Sequence, residues 1–234
     1  MEEKKKENQP KFAVDVKNLK KTYRQGNLTI PILHGIHFQI PSQKLVTLMG
    51  PSGSGKSTLL NILSAIEIAD EGSVKIYGNE LMGASELEKT RYRREQIGIV
   101  FQFFHLFPYL TAKENASLPL LLSGKSKKYA EKKSSEILDL VGLGNRLNFT
   151  PKELSGGEKQ RVSIARALVH EPKIVFGDEP TGNLDSKSSD AVLDLFKKCV
   201  SDLGITVLLV THNEEIGKSG DINYHMLDGK ISIK

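Results

Sequence analysis

Apolar residues recur along this chain in two rhythms, and the rhythms alternate. Residues 12–16 and 32–40 switch between apolar and polar positions as half-buried strands do, with the turn residues Gln25, Gly26 and Asn27 between them, and predict a small antiparallel sheet. Residues 44–49 form a short β-prone run that ends in a glycine-rich loop; beyond it, Leu59, Leu60, Ile62 and Leu63 take helical spacing within 56–66. Residues 72–77 and 97–101 read as strands on either side of a charged helical stretch at 86–95. From Thr111 to about Gly142 the pattern is wholly helical, opened by the capping box Thr111-Ala112-Lys113-Glu114. This stretch predicts a helical lobe inserted over about 103–153. After Gly156 follow a helix to about His170, a strand at 173–176, a helix at 185–203 and a strand at 205–211. Such alternation predicts a parallel sheet flanked by helices, an α/β fold. Asp228 and Gly229, between the apolar runs 224–227 and 230–233, predict a terminal hairpin.

Composition narrows this picture. A chain of 234 residues suits one compact body with a smaller inserted lobe, here 12–234 after a solvated tail at 1–11. With 38% hydrophobic and 26% charged residues it can bury a core. The longest apolar runs, 118–122 and 205–210, fall far short of the roughly 20 residues that a membrane-spanning helix needs. The charged start lacks the apolar stretch of a secretory signal, so the cytoplasm is the expected location. A single cysteine, Cys199, cannot form an intramolecular disulfide. The net charge of +5 is spread among acids, without the clustering that a nucleic-acid surface requires, so nucleic acid is not an expected partner.

The chemistry begins at Gly50-Pro51-Ser52-Gly53-Ser54-Gly55-Lys56-Ser57-Thr58, which fits the P-loop pattern G-x-x-x-x-G-K-[ST]. Glycines let the backbone curl so that successive N–H groups face phosphate oxygens, and the following helix adds the positive end of its dipole. Lys56 supplies a mobile charge, and the Ser57 hydroxyl can ligate Mg²⁺. The apolar strand ending in Asp178-Glu179 puts two carboxylates at the carboxyl edge of the sheet. Asp178 is the candidate to hold Mg²⁺, directly or through water. Glu179 is then the candidate general base or water-positioning group.

Between these two motifs lies Leu154-Ser155-Gly156-Gly157-Glu158-Lys159-Gln160-Arg161, which resembles the signature sequence of the ABC ATPases. The resemblance runs from about residue 12 to residue 233 and implies an ABC cassette: a RecA-like parallel core, a small antiparallel β-subdomain and an inserted helical subdomain. It also implies roles for single residues. Tyr23 resembles the aromatic residue that stacks on adenine, and Gln102 the glutamine that senses Mg²⁺ and the γ-phosphate. Asp185, in Asn183-Leu184-Asp185, resembles the D-loop aspartate, and His212 the switch histidine that contacts the γ-phosphate and helps to hold Glu179 and water. Three positions depart from the commonest pattern: Glu158 stands for the usual glutamine, Gly177 for a frequent alanine and Asn213 for a common aspartate. None removes a catalytic group.

The resemblance further implies a head-to-tail homodimer, with ATP held between the P-loop of one subunit and Ser155, Gly156, Gly157 and Glu158 of the other. It implies separate membrane permease partners and a peripheral place at the cytoplasmic face of the inner membrane. Residues 101–111, with Glu114-Asn115 and residues 118–121, look like the lipoprotein-releasing and macrolide-exporting branch, and Gly182-Asn183-Leu184-Asp185 leans toward lipoprotein release. Efflux and cell-division ATPases share much of this pattern; a soluble ABC ATPase without a transport role is the alternative of a different class. Five of the fifteen aromatic residues (Phe101, Phe103, Phe104, Phe107 and Tyr109) fall within nine positions. Phe101 and one other are expected in the core. The remainder are expected to form an exposed docking patch within 101–122.

Overall fold

The computed structural model describes residues 10–233, so most of the expected tail lies outside the described residues. Strands β1 (Phe12–Gln25) and β2 (Leu28–Pro41) pair antiparallel across the turn at Gly26, whose φ of +59° suits glycine. Both run further than their alternation predicts. Register shifts between Val16 and Leu19 and again beyond Lys21 rotate side chains out of step, and a bulged strand loses its period of two.

The next elements form the first half of the larger body. Strand β3 (Leu45–Met49) is buried throughout, and helix α1 (Lys56–Leu63) follows the glycine-rich loop. Strands β4 (Glu71–Ile76) and β5 (Asn79–Glu80) complete the antiparallel sheet in the order β2-β1-β4-β5. Helix α2 (Glu86–Glu95) starts at a Ser85–Glu88 capping box and leads into β6 (Ile97–Phe101).

The lobe consists of α3 (Ala112–Leu122) and α4 (Lys127–Leu140), separated by a break in which Gly124 has φ +80° and Ser126 caps the second helix. Two 3₁₀ turns, Gly144–Arg146 and Pro151–Glu153, return the chain to α5 (Gly156–Leu168). Then come β7 (Ile174–Asp178), α6 (Ser186–Ser201), β8 (Thr206–Thr211), the single turn α7 (Glu214–Gly217) and the hairpin of β9 (Ile222–Leu227) with β10 (Lys230–Ile233). The larger sheet runs β10-β9-β3-β8-β7-β6, parallel except for β10.

Among the described residues, two large apolar cores hold these layers, and a small third cluster of Leu120, Ala130 and Val169 lies in and beside the lobe. One joins the antiparallel sheet and α1 to Leu48, Phe176, Leu208 and Val210 of the parallel sheet. The other joins Val175, Val207 and Leu209 to α5, α6 and the lobe, with Phe196 fully buried within it. Alternate residues of β7 and β8 thus face opposite cores, which is why both strands read as nearly continuous apolar runs.

Register determines where the chemistry falls. Met49 pairs with Thr211, Asp178 with Val210, and Phe101 with Asp178. The residues that follow these strand ends are Gly50, His212, Glu179 and Gln102. Four candidate motifs therefore emerge together at the carboxyl edge of adjacent strands β3, β8, β7 and β6, where open α/β sheets bind ligands.

Candidate phosphate-binding and hydrolytic site

Gly53 (φ +79°) and Gly55 (φ +101°) supply the left-handed turns that curl the loop ahead of α1. Gly50 is constrained from another side: a Cβ there would lie 2.1 Å from the Met226 carbonyl oxygen of β9. The N-terminus of α1 has no side-chain cap and no acidic residue in its first turn, so its amides and dipole remain available to an anion. Lys56 is buried, and its Nζ donates to the carbonyl oxygens of Gly50 at 2.8 Å and Pro51 at 2.7 Å. Burial lowers the Lys56 pKa, with Glu179 and Asp178 opposing. The ammonium group is thereby held over the loop.

Ser57 Oγ donates to Asp178 Oδ1 at 3.4 Å. Burial raises the Asp178 pKa; the Ser57 hydrogen bond opposes this, Glu179 adds to it and Lys56 counters it. Next along the chain, Glu179 takes φ +48°, its N–H donates to the Val210 carbonyl at 2.9 Å, and its own carbonyl accepts from the Gly182 N–H at 3.0 Å. Its Oε2 lies 2.7 Å from His212 Nδ1. His212 is exposed, and a neutral ring that donates through Nδ1 has Nε2 as its acceptor. A cavity of about 430 Å³ opens beside the pair, lined in part by Thr181, Gly182, Thr211 and Asn213.

Gln102 is held by the D-loop. Its Nε2 donates to Asn183 Oδ1 at 3.5 Å and its carbonyl accepts from Asn183 Nδ2 at 3.1 Å. A Cβ on Gly182 would stand 2.8 Å from the same Nε2, so glycine permits this approach. In the sequence, the only signal for this contact is the place of Gly182 and Asn183 beside Asp185. Tyr23 lies across the loop helix, its hydroxyl 2.7 Å from Glu67 Oε2 and 3.5 Å from Thr58 Oγ1.

The signature serine, Ser155, caps α5. Its Oγ accepts from the Glu158 N–H at 3.2 Å while Glu158 Oε2 accepts from the Ser155 N–H at 2.8 Å. A Cβ on Gly157 would meet Ser188 Oγ of α6 at 2.8 Å, and Gly156 lies against Leu184. Asp185 caps α6, accepting from the Ser188 N–H at 2.9 Å and its hydroxyl at 2.8 Å. The signature and the D-loop thus pack side by side within one chain. Asn213 keeps the capping role that the commoner aspartate would also fill: its Oδ1 caps α7 by accepting from the Glu215 and Ile216 N–H groups.

Known proteins resemble this chain along most of its length. The family model described as ABC transporter matches residues 33–182. The lipoprotein-releasing system ATP-binding protein LolD of Ruegeria sp. is 42% identical over 94% of this chain and 97% of its own length. The macrolide export ATP-binding/permease protein MacB of Bdellovibrio bacteriovorus is 44% identical over 93% of this chain but only 33% of its own length. Among solved structures, the ATP-binding cassette MJ0796, a dimer in a post-hydrolysis state bound to ADP and Pi, superposes with a TM-score of 0.87 at 39% identity, covering 94% of this chain and 97% of that one.

Proposed function

The chain belongs to the ABC transporter family as an ATP-binding, ATP-hydrolysing subunit, and we propose that it works as a head-to-tail homodimer beneath separate permease subunits to drive lipoprotein release. The observation that carries the hydrolytic role is the 2.7 Å contact between Glu179 and His212 beside the Asp178 strand end. The loop amides and Lys56 hold the β- and γ-phosphates. Glu179 orients a water and accepts its proton, while His212 fixes the carboxylate through Nδ1 and stands beside the γ-phosphate. Tyr23 stacks on the adenine.

Mg²⁺ fits the donor set, because the Ser57 hydroxyl and the Asp178 carboxylate are hard oxygen ligands in mutual contact. Among the described residues no cluster of three or more His, Cys, Asp or Glu side chains could cage a metal, which suits an ion shared with phosphates and water. Gln102 would join it from the D-loop side. Bound there, Mg²⁺ neutralises charge on the phosphate oxygens.

For the permease, the dock is the aromatic segment and the groove beside it. Phe103, Phe107 and Tyr109 are 65%, 56% and 88% exposed. Phe101 and Phe104 are half-buried, the Phe101 ring edge-on to His105, and neither belongs to the apolar cores, so the expected core place of Phe101 and one other is not met. The Arg166 guanidinium ties the segment down by donating to the Phe104 and His105 carbonyls. A groove of about 520 Å³ runs alongside, lined by Ile99, Phe101, Pro119 and Leu122 with Arg93 and Arg166 at its margin. An apolar cytoplasmic segment of a permease suits that lining.

Two kinds of experiment test the reading. Glu179→Gln should bind ATP and fail to turn it over; a hydrolytically normal variant sinks the catalytic assignment. Reconstitution with the permease should give ATP-dependent release of an acylated protein from the bilayer. Macrolide efflux is the second reading, favoured by the 44% identity to MacB, and drug export without lipoprotein release would select it.

A further inference from the structure

The departure at Glu158 poses an electrostatic problem that the structure answers. An anion-binding helix N-terminus works through free amides and a positive dipole end, and a carboxylate in its first turn opposes an incoming phosphate. Glu158 is such a carboxylate, and its side chain is only 18% exposed. Its Oε2 accepts from the Ser155 N–H, and its Oε1 lies 3.0 Å from Arg146 Nε. The guanidinium stacks 4.7 Å from the centroid of the Phe149 ring, which restricts its rotamer. The Ser155 N–H and Arg146 together hold the Glu158 carboxyl below its ordinary pKa.

Arg146 is itself firmly placed. The Phe149 N–H donates to the Arg146 carbonyl at 3.0 Å, while the carbonyls of Leu147 and Phe149 accept from the first amides of α3, Lys113 at 3.0 Å and Ala112 at 2.8 Å. Residues 146–149 therefore join the start of the lobe to the start of the signature helix.

We infer that Arg146 is a positioning residue of the composite ATP site: it neutralises Glu158 and holds its carboxylate in the capping box, so that α5 meets a γ-phosphate as a net positive helix end. The inference rests on the reading that the signature of one subunit acts on ATP held by the other. The family's commoner glutamine at position 158 keeps the cap without the charge and needs no such partner. Arg146 is accordingly required only while residue 158 is an acid.

The test is a double-mutant cycle in a Glu179→Gln background, reading by light scattering the MgATP concentration that half-dimerises the protein. Arg146→Ala should raise that concentration about tenfold, the scale expected for unpairing a mostly buried carboxylate facing an anion. Adding Arg146→Ala to a Glu158→Gln parent should instead move it by less than about twofold from that parent's own value, so that the cost of losing Arg146 is rescued by removing the acid. Arg146→Met, which keeps the side-chain stem on Phe149, serves if Arg146→Ala melts early, and should show the same rescue. Failure of Glu158→Gln to rescue a folded Arg146 variant overturns the proposal, as does unimpaired dimerisation of that variant. Ser155→Arg is the control for the underlying reading: if it still dimerises with ATP, the trans role of the signature fails, whatever Arg146 does.

Discussion

Glu179 holds a left-handed backbone at the carboxyl end of β7, and the next strand end supplies its histidine. Few residues other than glycine adopt φ near +48° without cost, and such strain concentrates where a side chain must point one way. Lys56 and Glu179 should separate cleanly on mutation. Lys56→Ala removes a charge from the bound ground state and should weaken nucleotide binding, measured by equilibrium titration. Glu179→Gln should leave binding intact and cut turnover by about 10²–10⁴, the usual worth of a general base. Gly182→Ala tests the hold on Gln102. The added Cβ would stand 2.8 Å from a flexible amide, so the protein should fold with a stability change under about 1 kcal/mol while turnover falls several-fold. Unchanged turnover would show that the Gln102–Asn183 contact is incidental. At this scale the P-loop and Asp178-Glu179 were legible because their chemistry needs fixed residue types at fixed spacing. The Gln102–Gly182 approach was not, since it joins positions 80 residues apart through a missing side chain.

Capping decides how the helical elements begin. Thr111, Ser155 and Asp185 each accept from an amide in the first turn of α3, α5 and α6. Thr111→Ala should cost about 1 kcal/mol, read from denaturant unfolding. The glutamates of two of these boxes also make the cap pH-sensitive. Hydrogen bonds from Thr111 hold the Glu114 carboxyl below its ordinary 4.5, and the Ser155 N–H and Arg146 do the same for Glu158. For a depressed carboxyl, stability is fully present above the unfolded value and is lost as pH falls through the lower folded one. Thermal midpoints taken from about pH 6 to about pH 3 should therefore fall less steeply in Glu114→Gln/Glu158→Gln than in the parent. Parallel slopes would contradict this. The Thr111 box was visible in sequence as Thr-x-x-Glu. The long reach of β1 and β2 was not, because bulges break their alternation; β5 and α7 are too short to set up a period.

In the whole molecule, one sheet edge gathers the phosphate loop, the carboxylates, Gln102 and His212, while the signature lies with the lobe and the D-loop. The order of strands and helices followed from alternating rhythms. Which aromatic residues face outward did not, because Phe103, Phe104 and Phe107 read alike until Arg166 ties down the carbonyls of Phe104 and His105. Phe103→Ser/Phe107→Ser should keep basal ATPase and lose co-purification with the permease; unchanged co-purification would remove the docking assignment. The central claim is that one chain holds only half of each ATP site. Its most direct test mixes inactive Lys56→Ala with inactive Ser155→Arg. A heterodimer of the two contains one site with both lesions and one with neither, so ATPase activity should reappear on mixing and rise with the heterodimer fraction. If heterodimers demonstrably form and no activity returns, the head-to-tail arrangement is contradicted.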